Sequence, residues 1–379
     1  MYSHRPYALT ILWHERKRYL PAVLAVTFST VLIGLQGGLL LGQVVYSSFA
    51  IDHTSADLWV VPPDANSPML AEPVPESWLL RLASQPEISR AEVYYLGQGH
   101  WHKPGTGARE ACVVIGSRLD DDSLGAVHQM SPAMRTRLTE PGTVAVIAAD
   151  LPTFGLENAD GVGAEINGQR VRVVGTISGF RGALYPHMFC SLETARRLFP
   201  TFLHPLTSFV LARCRHPQDV PVLAARLREA YPDMATYTTD EFSVRTRNYW
   251  LFRTRLGTVL VCTVALALLV GGVVTSETLL AAVRASLREF ALLDAMGLPR
   301  LRLVCLVLAQ SWWIGLIGVL FALPIIFILA QAAEWTNTHV LLTPALLVGT
   351  PLVDLVLAVL SGVAALRSLR EAEPGVLLR

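Results

Sequence analysis

His100 and His102 stand two residues apart in the run Gly99-His100-Trp101-His102. In an extended strand, side chains two apart share a face, so the two imidazoles could begin a metal site. A zinc site needs three or four ligands, and no third ligand follows at a telling spacing; the pair reads as a solvated strand edge. Cys214-Arg215-His216 reads the same way. The cysteines are Cys112, Cys190, Cys214, Cys262 and Cys305, with no C-x-x-C pair among them. Cys262 and Cys305 lie in apolar runs, where a thiol serves as packing. The other three cannot make a complete disulfide framework; one bridge or none fits, with none preferred. A phosphate-binding loop closes on Gly-Lys-Ser/Thr, and neither lysine of the chain, Lys17 or Lys103, has those neighbours. No G-x-S-x-G elbow and no H-E-x-x-H occurs. No catalytic residue, cofactor or metal is therefore assigned, and the chain is not expected to be an enzyme.

Two further acids stand where acids are costly. Glu277 and Asp354 each interrupt a long apolar run. Acids inside a membrane span are expensive and usually have a partner or a task. Glu277 sits near the end of its run and can snorkel. Asp354 lies closer to mid-run, and a hydrogen bond to a neighbouring helix is favoured over a proton relay, for which no chain of partners is visible.

The elements that position these residues are set by composition. The chain has 379 residues, 52% hydrophobic and 16% charged, with mean hydropathy +0.42. An ordinary soluble domain is about 25% charged, so the balance points to an integral membrane protein with a soluble part. A net charge of +1 gives no reason to expect nucleic acid as a partner. Four stretches reach the ~20 apolar residues that a bilayer crossing needs: 19–46, 254–283, 301–333 and 342–366. The first is too long for a secretory signal and is expected to be an anchor. Arg5, Arg16, Lys17 and Arg18 precede it. Arg284, Arg288, Arg300 and Arg302 lie between the second and third, and Arg367, Arg370 and Arg379 follow the fourth. The positive-inside rule then predicts both termini and segment 284–300 on the cytoplasmic side, the tail 367–379 with them. The short loop 334–341 and the long segment 47–253 fall outside. Residues 1–18, with Leu9, Leu12, Trp13 and Arg16 at helical spacing, suit an amphipathic helix on the inner membrane face.

Residues 47–253 are enough for a domain. ADLWVVP, AEVYYLGQGHW, EACVVIGS, TSFVLARC and DMATYTTDEF read as strands, and ESWLLRLASQP and DVPVLAARLREAYP as helices. One mixed sheet with helices on a single face is expected, built from 50–118 and 203–245. Segment 119–202 has a different texture, with a hairpin predicted at Asn167-Gly168, and reads as an inserted β-rich lobe. The fold class is thus integral membrane α-helical, four transmembrane helices with a large α+β extracytoplasmic domain between the first and second.

Between the second and third spans stands Arg288-Glu289-Phe290-Ala291-Leu292-Leu293-Asp294-Ala295-Met296-Gly297-Leu298-Pro299-Arg300. Phe290, Leu293 and Gly297 share a helical stripe with Met296 beside it. Arg288, Glu289 and Asp294 are free to face a partner, and Leu292 completes the apolar set. Gly297 fits a C-cap and Pro299 stops the helix. A simple loop would connect two spans; a capped charged helix suggests docking rather than a helix lying on lipid. In the first span, Gly34, Gly38 and Gly42 repeat every four residues, so one face admits another backbone at close range, at a dimer seam or in contact with the second span.

The R-E-x-x-L-L-x-A-M-G run at Arg288 to Gly297, its place between spans two and three, and the closing LRSLREAEPGVLLR resemble permease subunits of ABC exporters of the MacB, FtsX and LolC/LolE type. GQGHWHKPGTGAREACVVIG and TTDEFSVRTRNYWLFRTRLG bring it nearest to DevC-type permeases. The resemblance implies a mechanotransmission machine. Arg288, Glu289, Phe290, Leu292, Leu293, Asp294, Met296 and Gly297 would form the coupling helix that docks on a separate cytoplasmic ATPase. A second permease copy would complete a dimer in the bacterial inner membrane, with a periplasmic adaptor and an outer-membrane channel as further partners. Export or release of a lipid, glycolipid, peptide or drug-like substrate is the expected function. An FtsX-like regulator without transport is the alternative, and a membrane-anchored enzyme the weakest reading.

Overall fold

The structure is a computed structural model that describes residues 16–105, 107–158, 160–178, 185–200, 205–285, 300–335 and 340–371. The chain divides into two compact units, Met1–Gly42 with Gly257–Arg379, and Gln43–Leu256.

Four helices are long and apolar enough to cross a membrane: α1 (Arg16–Ser47), α9 (Arg255–Ala285), α10 (Arg300–Trp335) and α11 (Pro344–Glu371). Pro21, Pro324 and Pro351 lie inside them, as membrane helices tolerate when neighbours satisfy the freed carbonyls. Tyr19, Ala22, Val23 and Val26 of α1 pack with Leu279 and Ala282 of α9, Ile314 of α10 and Ala358 of α11.

The second unit begins with α2 (Phe49–Asp52) and ends with α8 (Thr239–Phe252). Between them run β1 (Leu58–Val61), β2 (Val74–Pro75), α3 (Trp78–Ala83), β3 (Ile88–His102) and β4 (Arg109–Ser117). There follow α4 (Pro132–Leu138), β5 (Thr143–Ile147), α5 (Leu151–Phe154), β6 (Gly163–Ile166), β7 (Gln169–Ile177), β8 (His187–Ser191) and α6 (Leu192–Leu198). The last elements before α8 are β9 (Leu206–Thr207), β10 (Phe209–Cys214), α7 (Val220–Ala230) and β11 (Ala235–Thr238).

Nine strands form one mixed sheet in the order β11-β1-β10-β3-β4-β8-β5-β7-β6, and β6 pairs again with β3. That last pairing, Trp101 opposite Ile166, closes β3, β4, β8, β5, β7 and β6 into a hydrogen-bonded ring. The 15-residue β3 serves both parts. Its first half, from Ile88 to Tyr94, pairs with β10, and its second half, from Tyr95 to His102, pairs with β4. Strands β5 to β8, all from 119–202, complete the ring with the earlier β3 and β4.

Strand alternation sorts the cores. On one face of the open part, Leu58, Val60, Val210 and Ala212 bury against Trp78 and Leu82 of α3 and Leu223, Ala224 and Leu227 of α7. The helical positions are one turn apart, so each helix offers a single apolar stripe. On the other face Trp59, Tyr94 and Phe209 meet Phe242 of α8 and Phe49 and Ile51 of α2. The hairpin turn at Asn167-Gly168 has φ of 50° and 79°, the left-handed pair that a two-residue hairpin requires. Helix α8 starts at a capping box in which Thr238 Oγ1 accepts from Glu241 N and Glu241 Oε2 accepts from Thr238 N, each at 3.1 Å.

Candidate functional site

The segment predicted to dock, with Arg288, Glu289, Phe290, Leu292, Leu293, Asp294, Met296 and Gly297, lies outside the described residues. Helix α9 ends at Ala285 before it and α10 begins at Arg300 after it.

In the bundle, Gly34, Gly38 and Gly42 are all buried on α1. A Cβ at Gly34 would meet Ile326 Cδ1 of α10 at 2.9 Å and Thr350 Cγ2 of α11 at 3.7 Å. At Gly38 it would meet Val340 Cγ1 at 2.6 Å, and the Gly38 carbonyl accepts from Leu341 N at 3.0 Å. Gly37, which the four-residue spacing skips, faces Leu346 Cδ1 at 2.9 Å. The glycine face thus receives the third and fourth spans and the start of the segment before α11. The second span meets α1 elsewhere, where Gly271 leaves room for Ser29.

Asp354 is fully buried, and its Oδ1 accepts from Ser29 Oγ at 2.7 Å. Glu277 stands on the exposed side of α9. Sequence spacing could not find Ser29, because serines in apolar helices usually bond back into their own helix.

Within the second unit, the short helix α2 and the last helix α8 are tied. Arg247 of α8 donates from Nε to Ser48 Oγ at 2.8 Å and from Nη2 to Asp52 Oδ2 at 2.6 Å. Ser48 Oγ also donates to Asp52 Oδ2 at 2.6 Å. Ser48 follows α1 directly, and α8 runs to Phe252, three residues before α9. The only sequence signal for this knot was the i,i+4 spacing of Ser48 and Asp52. Phe49 stacks its edge on His187 and Phe189 of β8, with centroids 5.6 and 6.4 Å apart, so the same short helix touches the strand ring.

His100 and His102 lie on β3. His102 Nε2 accepts from Arg109 Nε at 3.1 Å, and His102 Nδ1 stands 3.6 Å from Glu165. Among the described residues no group of three or more His, Cys, Asp or Glu side chains could hold a metal. Cys112, Cys190 and Cys214 are buried free thiols. Burial pushes Cys112 up to about 12 and Cys214 to about 11, and raises Cys190 as well.

Among curated protein sequences none matches this chain significantly. Solved structures resemble it in part, among them two domains of ABC-type proteins. The periplasmic region of MacB from Actinobacillus actinomycetemcomitans is 13% identical, covering 52% of this chain and 96% of its own, with a TM-score of 0.36. The extracellular domain of the noncanonic ABC-type transporter YknZ from Gram-positive bacteria is 12% identical, covering 48% and 98%, with a TM-score of 0.32. Residues 261–374, from within α9 to beyond α11, match the family described as FtsX-like permease C-terminal. The similarity to that family thus lies in the last three of the four membrane-length helices, and the α+β domain stands in sequence between the first and second of them.

Proposed function

We propose that the chain is the permease subunit of an ATP-driven exporter. ATPase closure in the cytoplasm moves the spans, and the spans move the outside domain to export or release a lipid, glycolipid, peptide or drug-like substrate. The similarity of residues 261–374 to FtsX-like permeases supports an ATPase partner and a dimer. The finer reading makes Arg288–Gly297 the knob that enters the ATPase, with residues 1–18, 284–300 and 367–379 in the cytoplasm and 47–253 in the periplasm. A periplasmic adaptor and an outer-membrane channel complete the proposed assembly in the inner membrane.

One observation carries this reading. The charged segment 288–300 lies inside the family-matched stretch, between α9, which ends at Ala285, and α10, which begins at Arg300. A mechanical rather than chemical role is supported by the tie between Arg247, Ser48 and Asp52, which joins the first and last helices of the second unit. The two-part sheet favours export with an adaptor over regulation without transport.

The test is co-purification of the detergent-solubilised permease with the candidate ATPase, for wild type and for Leu293→Asp combined with Gly297→Glu. The wild type retains the ATPase, and the double variant loses it while remaining folded and dimeric. If wild type and variant bind the ATPase alike, the knob lies elsewhere. If neither binds any ATPase, the coupling reading fails.

A further inference from the structure

Arginine recurs in the run from Arg245 to Arg255, at positions 245, 247, 253 and 255. The fold sorts these residues into two kinds. Arg245 donates from Nε to Ala65 O at 3.1 Å and lies over the Tyr237 ring, 5.2 Å from its centroid. Arg247 holds Ser48 and Asp52. Arg253 and Arg255 are both exposed, and neither has an acidic partner among the described residues. The neighbouring chain offers none either, since residues 242–276 contain no Asp or Glu.

The two unpaired guanidiniums stand where a membrane-length helix begins. Helix α8 ends at Phe252, and Arg255 is the first residue of α9. Phe252 is 67% exposed and Leu256 37%, so apolar surface and fixed positive charge lie side by side at this boundary. Trp250 is committed elsewhere, its Nε1 donating to Ser67 Oγ at 2.9 Å. Between Asn66 and the outer stripe of α8, formed by Val244, Asn248 and Phe252, runs an open groove of about 840 Å³ with Arg253 at one end. Asp240 and Glu241 lie at its other end, about 18 Å from Arg253 along the helix at 1.5 Å per residue. Only the end beside Arg253 therefore suits an anion.

A guanidinium binds phosphate with two parallel N–H groups at once. A bilayer supplies phosphate at the depth where a span begins, with apolar chains beside it. Phosphatidylcholine and phosphatidylethanolamine carry an ammonium that neutralises their phosphate. An anionic glycerophospholipid leaves its charge for the arginines, and its headgroup hydroxyls match the amides of Asn66 and Asn248. We infer that Arg253, Arg255 and the adjoining end of the α8 groove bind the headgroup of an anionic phospholipid of the phosphatidylglycerol type, with Phe252 and Leu256 against its acyl chains. The bound lipid anchors the junction of α8 and α9. The site requires neither an ATPase nor a cargo, so it stands apart from the export reading.

The experiment is native mass spectrometry of the full chain in detergent, titrated with phosphatidylglycerol or with phosphatidylcholine of the same acyl chains. The first phosphatidylglycerol adduct forms at roughly tenfold lower lipid concentration than the first phosphatidylcholine adduct. Arg253→Gln combined with Arg255→Gln removes that preference. Arg170→Gln, at an exposed arginine on β7, keeps it. Thermal unfolding gives an independent arm. Without lipid the three proteins unfold at the same temperature, so the substitutions spare the fold, and phosphatidylglycerol then raises the midpoint of wild type and Arg170→Gln but not of the double variant. The inference is overturned if wild type takes both lipids alike or if the double variant keeps the preference. It is overturned as well if the double variant turns dimers into monomers with its lipid adducts unchanged, which would make this face a contact between copies of the chain.

Discussion

Arg247 and Asp52 are 195 residues apart in sequence and 2.6 Å apart in space. Because Arg247 uses Nε on Ser48 and Nη2 on Asp52, the tie depends on the fixed fork of the guanidinium. A lysine ammonium is a point charge and cannot span both partners in the same way. Both side chains are partly exposed, at 36% and 25%, so solvent screens the pair and its stability contribution is roughly 1 kcal/mol or less. On the proposed coupling role, the expected phenotype is therefore mechanical. Arg247→Lys and Asp52→Asn fold and insert like wild type, yet lose most of the permease-dependent function in a transport or complementation assay. A variant that keeps full function with the tie removed would show that force does not pass through this knot.

The glycine face makes a graded prediction. Alanine at Gly34 must displace only the tip of Ile326, at 2.9 Å, and a flexible side-chain end gives way cheaply. At Gly38 the approach is tighter, 2.6 Å to Val340, and the carbonyl of Leu341 lies 3.5 Å away. Gly38→Ala is thus more costly than Gly34→Ala, by roughly 1 kcal/mol, and Gly38→Leu more costly still. Unfolding in detergent with a chaotrope series reads this order. Equal stability of the two alanine variants would remove the argument from close approach.

The spans were legible because a bilayer imposes one requirement, length of apolar chain, that composition alone reveals. The turn at Asn167-Gly168 was legible because its backbone geometry selects the residue types. What the sequence concealed are contacts between distant positions. Trp101 meets Ile166 to close the strand ring, Ser29 meets Asp354 across 325 residues, and Arg247 meets Asp52 across 195. Each partner taken alone is ordinary: a strand tryptophan, a helix serine, one arginine among many. Only the fold gives them partners. The glycine repeat shows an intermediate case, where spacing marked the face but not Gly37 beside it or the helices that fill it.

Thiol chemistry offers a direct check on the core. Reaction with an alkylating reagent needs the thiolate, and burial holds Cys112 and Cys214 at about 12 and 11 and raises Cys190. A membrane-impermeant maleimide at neutral pH should leave all three unlabelled in the folded protein and label all three after denaturation without reductant. Mass spectrometry counts the adducts. Prompt labelling of Cys112 or Cys190 in the native protein would contradict their place in the strand-ring core.

His187 gives the clearest pH dependence. Its ring is buried beside Phe49, and Nδ1 is 2.7 Å from Tyr185 O, which fixes the neutral tautomer with the hydrogen on Nδ1. Burial pushes the group from 6.5 down to about 4. Above pH 6.5 the imidazole is neutral whether folded or unfolded, and it contributes no pH dependence. Below 6.5 the unfolded chain takes up a proton that the fold refuses until about 4, so stability falls across that window and then levels. The full effect is on the order of 3 kcal/mol. Carboxylates also titrate near its lower end, so the measurement compares variants rather than absolute curves. His187→Leu keeps an apolar side chain against Phe49 and removes the titrating group. Its unfolding midpoint should change distinctly less than that of wild type between pH 7 and 5. Parallel midpoint curves for the two proteins would mean that His187 takes up its proton in the fold as readily as in the unfolded chain, and that Phe49 and β8 do not seal it from water.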